Sequence, residues 1–241
     1  NLKKAVELYK LARDFKRRDE DGAKPIQADL ALLEGIRDFA DFNLKAPDLF
    51  KAAFALPFSF DVDADMKNTK INVLQFFGSS IFLPDTTTYK TDAAQKLLDV
   101  LKKQSIELLK MAGLSVGQAE EYVDDAMKFD DKVSKVVKSS EEWADYPAMY
   151  NPMPISDFEK KITNFKMDYF LKEALGEVPD RVIVAEPRYL DHFDELINED
   201  NFDEIKGWMI VKFINGVASY LSQDFREASF PFSQALSGQP E

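Results

Sequence analysis

The sequence contains no cysteine and only one histidine, His192, among its 241 residues. The absence of cysteine excludes disulfide bonds and thiolate metal sites. It also favours a bacterial, cytoplasmic setting, with secretion or surface association as the alternative. No apolar run approaches the ~18 residues of a transmembrane helix, and neither a signal-peptide pattern nor an N-x-S/T glycosylation site occurs. We therefore predict no membrane segment in this chain.

The common catalytic motifs are absent as well: the sequence has no G-x-S-x-G, no P-loop and no G-x-G-x-x-G. His192 and Glu195 match H-x-x-E, the first part of an inverted zinc motif, but Leu196 follows where a second histidine would stand. A catalytic zinc usually takes three protein ligands, two of them often histidines on one helical turn. We therefore predict a surface histidine on an amphipathic helix and assign no catalytic or metal-binding residue.

The chain is acidic, with 43 Asp and Glu against 31 Lys and Arg and a formal net charge of −12. Nucleic-acid binding requires a basic surface that displaces counterions from phosphates, so no nucleic-acid partner is expected. Docking on anionic lipid is disfavoured for the same reason. The 20 Phe residues are better explained by the core of a large helical body than by an aromatic binding groove.

Two groups of aspartates could suggest ion or proton chemistry. Asp61, Asp63 and Asp65 resemble the opening of a calcium loop, but Met66 replaces its glycine and Asn72 its final glutamate. We predict instead that these three carboxylates face outward from a strand.

The second group, Asp124, Asp125, Asp130 and Asp131, punctuates one predicted helix. The helical angle of 100° per residue spreads the four carboxylates over a broad face rather than bringing two together. We predict a solvated surface and no working carboxylate pair.

Hydrophobic periodicity predicts a mainly α protein, a multi-helix lobe of about six to nine helices with one short β-hairpin near residues 58–77. The hairpin strands are the alternating run 58–63 and the apolar run 71–77, with a turn at 67–69. Helix starts are marked by serines with capping-box spacing at Ser115, Ser139 and Ser156. The predicted helices cover residues 2–15, 27–42, 47–56, 91–112, 115–138, 156–175, 187–196 and 201–225.

Six short stretches, in this order and spacing, resemble the N-terminal lobe of the neprilysin family of zinc metalloendopeptidases, including its bacterial endopeptidase O type. In the third stretch Leu83, Pro84, Asp85 and Tyr89 fit the pattern, whereas Thr86 and Thr87 stand where the family favours charge. The stretches are residues 3–9 (K-A-x-x-L-Y), 65–68 (D-x-K-N), 83–89 (L-P-D/S-R-D-Y-Y), 150–153 (Y-N-x-M), 185–190 (A-P-E-Y-L, with the order around proline altered) and 208–238 (W-x-x-x…L-x-G).

The resemblance implies a peptidase whose C-terminal lobe carries H-E-x-x-H, a downstream glutamate ligand and an N-A-Y/F substrate clamp around zinc. None of these motifs occurs by Glu241. We therefore expect residues 1–241 to be a single N-terminal helical domain of a longer enzyme, from which the catalytic zinc domain is absent. The expected role is to cover the active-site cleft, admit oligopeptides and exclude folded proteins. Zinc would belong to the full-length protein, and substrate-binding residues stay unassigned.

The absence of an active site also fits a different class of protein, a free-standing, non-enzymatic acidic helical module that binds peptides or proteins through an apolar face. A third interpretation, an enzyme with an unrecognised carboxylate site, would require converging Asp or Glu side chains in a pocket. If the chain is one lobe of a larger protein, we expect it to expose an apolar patch and to self-associate.

Overall fold

The structure is a computed structural model that describes residues 2–238. The fold is mainly α, as predicted, and a small sheet lies within the helical body. The helices are α1 (Leu2–Ala12), α2 (Phe15–Asp21), α3 (Gln27–Glu34), α4 (Phe39–Lys51), α5 (Ala94–Met111), α6 (Val116–Ser134), α7 (Ser140–Trp143), α8 (Ile155–Lys160), α9 (Met167–Leu175), α10 (Pro187–Asp191), α11 (Phe193–Leu196), α12 (Phe202–Val217), α13 (Gln223–Ala228) and α14 (Phe230–Ser237). The strands are β1 (Ser59–Asp65), β2 (Asn68–Phe77), β3 (Pro152–Pro154) and β4 (Arg181–Val184).

The four strands form one mixed sheet in the order β1-β2-β4-β3. The predicted hairpin is confirmed: β1 and β2 are antiparallel, and Met66 and Lys67 form the turn, one residue earlier than expected. Strand β4 then pairs in parallel with β2, with Leu74 opposite Val182, and β3 adds an antiparallel edge. Neither of these short strands was predicted from the sequence.

Phenylalanine fills the core, as predicted. The ring of Phe58 lies 5.1 Å from the ring centres of both Phe165 and Phe170 and 5.6 Å from that of Phe193. Most of these contacts are edge-on or tilted, the arrangement that the aromatic quadrupole favours. The cluster joins the residue before β1 to α9, to the turn before α9 and to α11.

Helices α6 and α12 form the most extensive helix–helix interface among the described residues, and small residues allow their backbones to approach closely. A Cβ added at Gly207 would lie 2.5 Å from the carbonyl oxygen of Tyr122. The next residue, Trp208, is buried, and its ring packs edge-on against Phe129 with 5.8 Å between ring centres. Helix α12 is therefore buried on most of its surface rather than on the single predicted face.

Several predicted helix boundaries are wrong because local capping groups interrupt the apolar period. The predicted helix 27–42 is two helices, since α3 ends before Gly35 and Asp38 caps α4 by accepting from the Asp41 amide. Pro47 lies inside α4 rather than at the start of a new helix. The predicted helix 2–15 ends at Ala12, and Phe15–Asp21 form a separate helix, α2, with Asp14 as its N-cap.

The capping boxes at Ser115 and Ser139 are confirmed, with Gln118 and Glu142 as their partners. Ser156 does not cap a helix, because α8 already begins at Ile155. The other predicted long helices are also divided: 156–175 into α8 and α9, 187–196 into α10 and α11, and 201–225 into α12, a 3-10 turn and α13. Helix α5 begins at Ala94, without a side-chain cap from Thr91 or Asp92.

Candidate functional site

The histidine that resembled part of a zinc motif lies between α10 and α11. Its Nδ1 donates to the carbonyl oxygen of Arg188 at 2.9 Å, while Glu195 is exposed and Leu196 is buried. Among residues 2–238 no group of three or more His, Asp or Glu side chains is placed to hold a metal ion. His192 therefore has a local structural contact and no ligand partner in the part of the chain that the structure describes.

The aspartates of β1 divide into two kinds. Asp61 and Asp63 are exposed, as predicted, and each carboxylate accepts from the next backbone amide, at 2.8 and 2.7 Å. The prediction is wrong for Asp65, which is buried and pairs with Arg181 and the Tyr150 hydroxyl. The Lys67 amide, together with Arg181, lowers the pKa of Asp65. Asp65 thus links the hairpin turn to β4 instead of facing solvent.

The aspartates of α6 divide in the same way. Asp124 and Asp131 are exposed, as expected for a solvated face, and pair with Lys102 of α5 and with Lys135. Asp125 is half-buried and pairs with Lys128. Asp130 is 1% exposed, so the prediction fails at this position. It lies four residues after Ala126 and three before Val133, both buried, so it belongs to the apolar stripe of the helix.

Asp130 anchors the irregular loop that follows β2. Its Oδ1 accepts from the Phe82 amide at 2.7 Å, and its Oδ2 accepts from the Tyr89 hydroxyl. Burial raises the pKa of Asp130 to about 6. On the other side, Lys212 of α12 donates to the Ile81 carbonyl at 2.8 Å, and burial lowers the pKa of this lysine to about 8. Helices α6 and α12 therefore hold consecutive residues of the loop.

Two further carboxylates fix the ends of this loop. Glu186 accepts from the Gly78 amide at 2.7 Å and from the Lys138 amide at 2.9 Å. Asp85 accepts from the backbone amides of Thr87 and Ser140. The Thr87 hydroxyl, then the contacts with Ser140, hold the pKa of Asp85 far below its usual value. Each oxygen of both carboxylates therefore accepts a hydrogen bond from a backbone amide.

The loop forms one wall of an open cavity of about 880 Å³, which we call the loop cavity. Its other walls are the end of α4, the end of β2 and the connection from α6 to α7. The side chains that give the cavity its character are Phe54, Phe77, Phe82, Leu83, Lys138 and Trp143. The sequence analysis singled out Leu83, Asp85 and Tyr89 through their resemblance to a family pattern, but it missed Lys138 and Trp143, which stand in no recognised motif.

Among the described side chains that line the cavity, no nucleophile is paired with a base. Serines are present in the wall, but the Ser79 hydroxyl donates to the Ser80 carbonyl rather than to a base. The Lys138 ammonium nitrogen is buried and has no hydrogen-bond partner among the described residues. A nucleophile needs a base within hydrogen-bond reach, and the described side chains of the cavity provide no such pair.

Comparison with known proteins agrees with this fold. The N-terminal profile of Peptidase family M13 matches residues 1–241. The neutral endopeptidase of Lactobacillus helveticus is 60% identical over 238 residues, which are 99% of this chain and 37% of that protein. The structure of PepO from Lactobacillus rhamnosis HN001 superposes with a TM-score of 0.86 at 27% identity over 98% of this chain and 38% of PepO.

The zinc metalloprotease Zmp1 of Mycobacterium tuberculosis, in its open state, shares the fold with a TM-score of 0.83 at 20% identity, over 95% of this chain and 36% of Zmp1. The chain belongs to peptidase family M13, and it is a neprilysin-type N-terminal lobe of that family. It spans little more than a third of the length of these relatives.

Residues 2–238, the part of this lobe that the structure describes, offer no set of ligands for the zinc of such relatives. The sequence offers a single histidine, whose Nδ1 is already bonded to backbone, and no convergent carboxylates join it in the described region. These residues do not fit a catalytic zinc, which usually takes three protein ligands. Within residues 2–238 no helix is both long and apolar enough to span a bilayer.

Proposed function

We propose that this chain is the non-catalytic lobe of a zinc endopeptidase that cleaves oligopeptides. In this proposal, residues 1–241 form one domain that covers the active-site cleft of the full-length protein and restricts substrate size. The chain itself is inactive, and zinc is held by the catalytic part of the protein. The observation that carries the proposal is that the whole chain aligns with 37% of a neutral endopeptidase while offering no metal-ligand cluster in its described residues.

The surface of α1 supports a second lobe as partner. Leu2, Val6 and Tyr9 recur at helical spacing and are 81%, 44% and 60% exposed, and no residue of the helix is buried. Exposure of such an apolar stripe to water is unfavourable. The stripe therefore fits an interface, here called the seam, that another part of the protein covers. The open state described for Zmp1 fits a cleft that opens and closes.

The test compares two proteins in a peptide-cleavage assay with added zinc: the 241-residue chain, and a protein whose native reading frame continues beyond the codon for Glu241. We expect cleavage only by the longer protein, lost with a chelator and restored by zinc. The longer protein should also cleave a free peptide of about ten residues but not the same sequence within a loop of a folded carrier. Metal-dependent cleavage by the 241-residue chain alone would refute the assignment of roles.

An inactive longer protein would instead favour the non-enzymatic alternative, an acidic helical module that binds peptides or proteins. The apolar stripe of α1 gives a separate check. Light scattering over a concentration series should show self-association of the 241-residue chain, and a strictly monomeric chain would count against an uncovered seam.

A further inference from the structure

The loop cavity contains one unmatched group. Its two carboxylates, Asp85 and Glu186, each accept two backbone amides. The ammonium of Lys138, by contrast, is buried without a hydrogen-bond acceptor among the described residues, and lies 5.2 Å from the centre of the Trp143 ring. A lysine ammonium has three donors, and an aromatic face accepts none of them fully. The Lys138 ammonium in the cavity wall therefore lacks a hydrogen-bond acceptor within the described part of the chain, and an anionic group would suit it best.

The neighbourhood of this ammonium is mainly aromatic, although the Glu186 carboxylate lies near enough to interact with it electrostatically without a hydrogen bond to the ammonium nitrogen. The half-buried indole of Trp143 packs against Phe77, with 6.1 Å between ring centres, and Phe54 and Phe82 contribute further aromatic surface to the same cavity. A volume of about 880 Å³ accommodates several side chains of an extended peptide. The cavity thus offers an aromatic wall for an apolar side chain beside a single cation.

The wall is also held in place before any ligand arrives. Asp130 and Lys212 fix the loop at Phe82 and Ile81, and Glu186 fixes it at Gly78. A Cβ at Gly78 would lie 2.6 Å from the ring of Tyr189, so the loop packs directly on the body of the domain. A rigid wall reduces the entropy that a ligand loses in ordering its site.

We propose that the loop cavity is a peptide-binding subsite, which takes an apolar side chain on its aromatic wall and an adjacent carboxylate on Lys138. The inference rests on the proposed function for the class of ligand, an oligopeptide. The carboxylate is either the C-terminus of the peptide or an acidic side chain, since both present the same acceptor oxygens. The lobe then selects among peptides that have entered the chamber, in addition to covering the cleft.

Three acetylated peptides distinguish the two sources of carboxylate when titrated into the 241-residue chain without zinc. The first is neutral, with the sequence Ala-Leu-Phe-Ala-Ala and an amidated C-terminus. The second has the same sequence with a free C-terminal carboxylate. The third is Ala-Leu-Phe-Glu-Ala with an amidated C-terminus. We expect at least one carboxylate peptide to bind about tenfold or more tightly than the neutral peptide by calorimetry. Binding should also change the fluorescence of Trp143, whereas Trp208 is fully buried elsewhere.

Replacing the lysine tests the assigned contact. Lys138→Met keeps the apolar stem and removes the charge, so it should abolish the preference for the carboxylate peptides over the neutral peptide. Lys135→Met is the matched control: Lys135 lies one helical turn earlier, is exposed, and pairs with Asp131 at 2.7 Å. This control should retain the full preference. A Lys138→Met chain that still prefers the carboxylate peptides overturns the inference.

Two further results decide the question if Lys138→Met does not fold. Equal affinity of the wild-type chain for all three peptides, or no saturable binding of any, overturns the inference without a variant. A preference in the wild-type chain that Lys135→Met shares supports it. The proposed function can fail separately from the subsite. Cleavage by the longer protein without peptide binding by this chain would refute only the subsite. Peptide binding without cleavage would refute only the peptidase role.

Discussion

Replacing Asp130 with alanine tests whether this buried carboxylate holds the loop after β2. The change leaves the Phe82 amide and the Tyr89 hydroxyl without their acceptor. A buried donor left unsatisfied costs about 1–3 kcal/mol, so Asp130→Ala should lower the free energy of unfolding by about 2–6 kcal/mol. Asp130→Asn keeps one carbonyl oxygen for the amide and should cost less than the alanine variant.

The adjacent residue is the control. Asp131 is exposed and makes an ion pair with Lys135, so Asp131→Ala should change stability by about 0.5 kcal/mol or less. Urea denaturation followed by circular dichroism at pH 7 gives all three values. If the alanine variants at 130 and 131 agree within about 0.5 kcal/mol, then Asp130 is not an anchor and the argument from its burial is wrong.

The same carboxylate predicts a dependence on pH whose sign is fixed. Burial raises the pKa of Asp130 from 3.8 in the unfolded chain to about 6. Between these values the folded state holds a proton that the unfolded state has lost, so stability rises as pH falls from about 7 to 4. The full difference is about 3 kcal/mol, of which about 1 kcal/mol lies between pH 7 and pH 5. The stability of the wild type relative to Asp130→Asn should increase by this amount at pH 5, and an unchanged difference would contradict the shifted pKa.

Three other substitutions test the packing. Gly207→Ala places a methyl group against the backbone of α6 and should destabilise the protein by about 1–3 kcal/mol in chemical denaturation. The control is Gly216→Ala in the same helix, which has open space around it and should be neutral or stabilising by up to about 1 kcal/mol. Phe58→Ala empties the centre of the aromatic cluster and should cost about 3–5 kcal/mol, against less than about 1 kcal/mol for the 43% exposed Phe230→Ala; similar losses would refute the assigned core. Ser139→Ala removes the cap of α7 and should lower stability by about 1 kcal/mol, and an unchanged melting temperature would show that the capping box is dispensable.

The sequence was sufficient for those parts of the fold that depend on neighbouring residues. The hairpin and the capping boxes at Ser115 and Ser139 were predictable because their signals lie within a few positions of each other. Strands β3 and β4 were not, since three or four residues carry too little periodicity and their pairing partners are distant in sequence. The break at Gly35 was missed because apolar residues recur at helical spacing on both sides of it, although the Asp38 cap is a local signal.

The cavity was less accessible to sequence reasoning. The prediction compared only the helical angles among the four aspartates. A projection that included the apolar residues would have placed Asp130 on the buried stripe of α6, three residues before Val133. Lys138 and Trp143 offered no such signal. They meet because the chain between α6 and α7 turns back toward Phe77, and only the folded molecule brings these groups together.

The parallel pairing of β2 with β4 sets an order of events during synthesis. Gly78 at the end of β2 donates to Glu186, which is 108 residues further along the chain. A ribosome that adds about 5–20 residues per second needs about 5–20 s to cover that distance. Through this interval the β1–β2 hairpin has emerged with an unpaired strand edge, and an isolated hairpin is at best marginally stable in water. The domain is therefore expected to fold late in its own translation, once β4 has left the exit tunnel and can close the sheet.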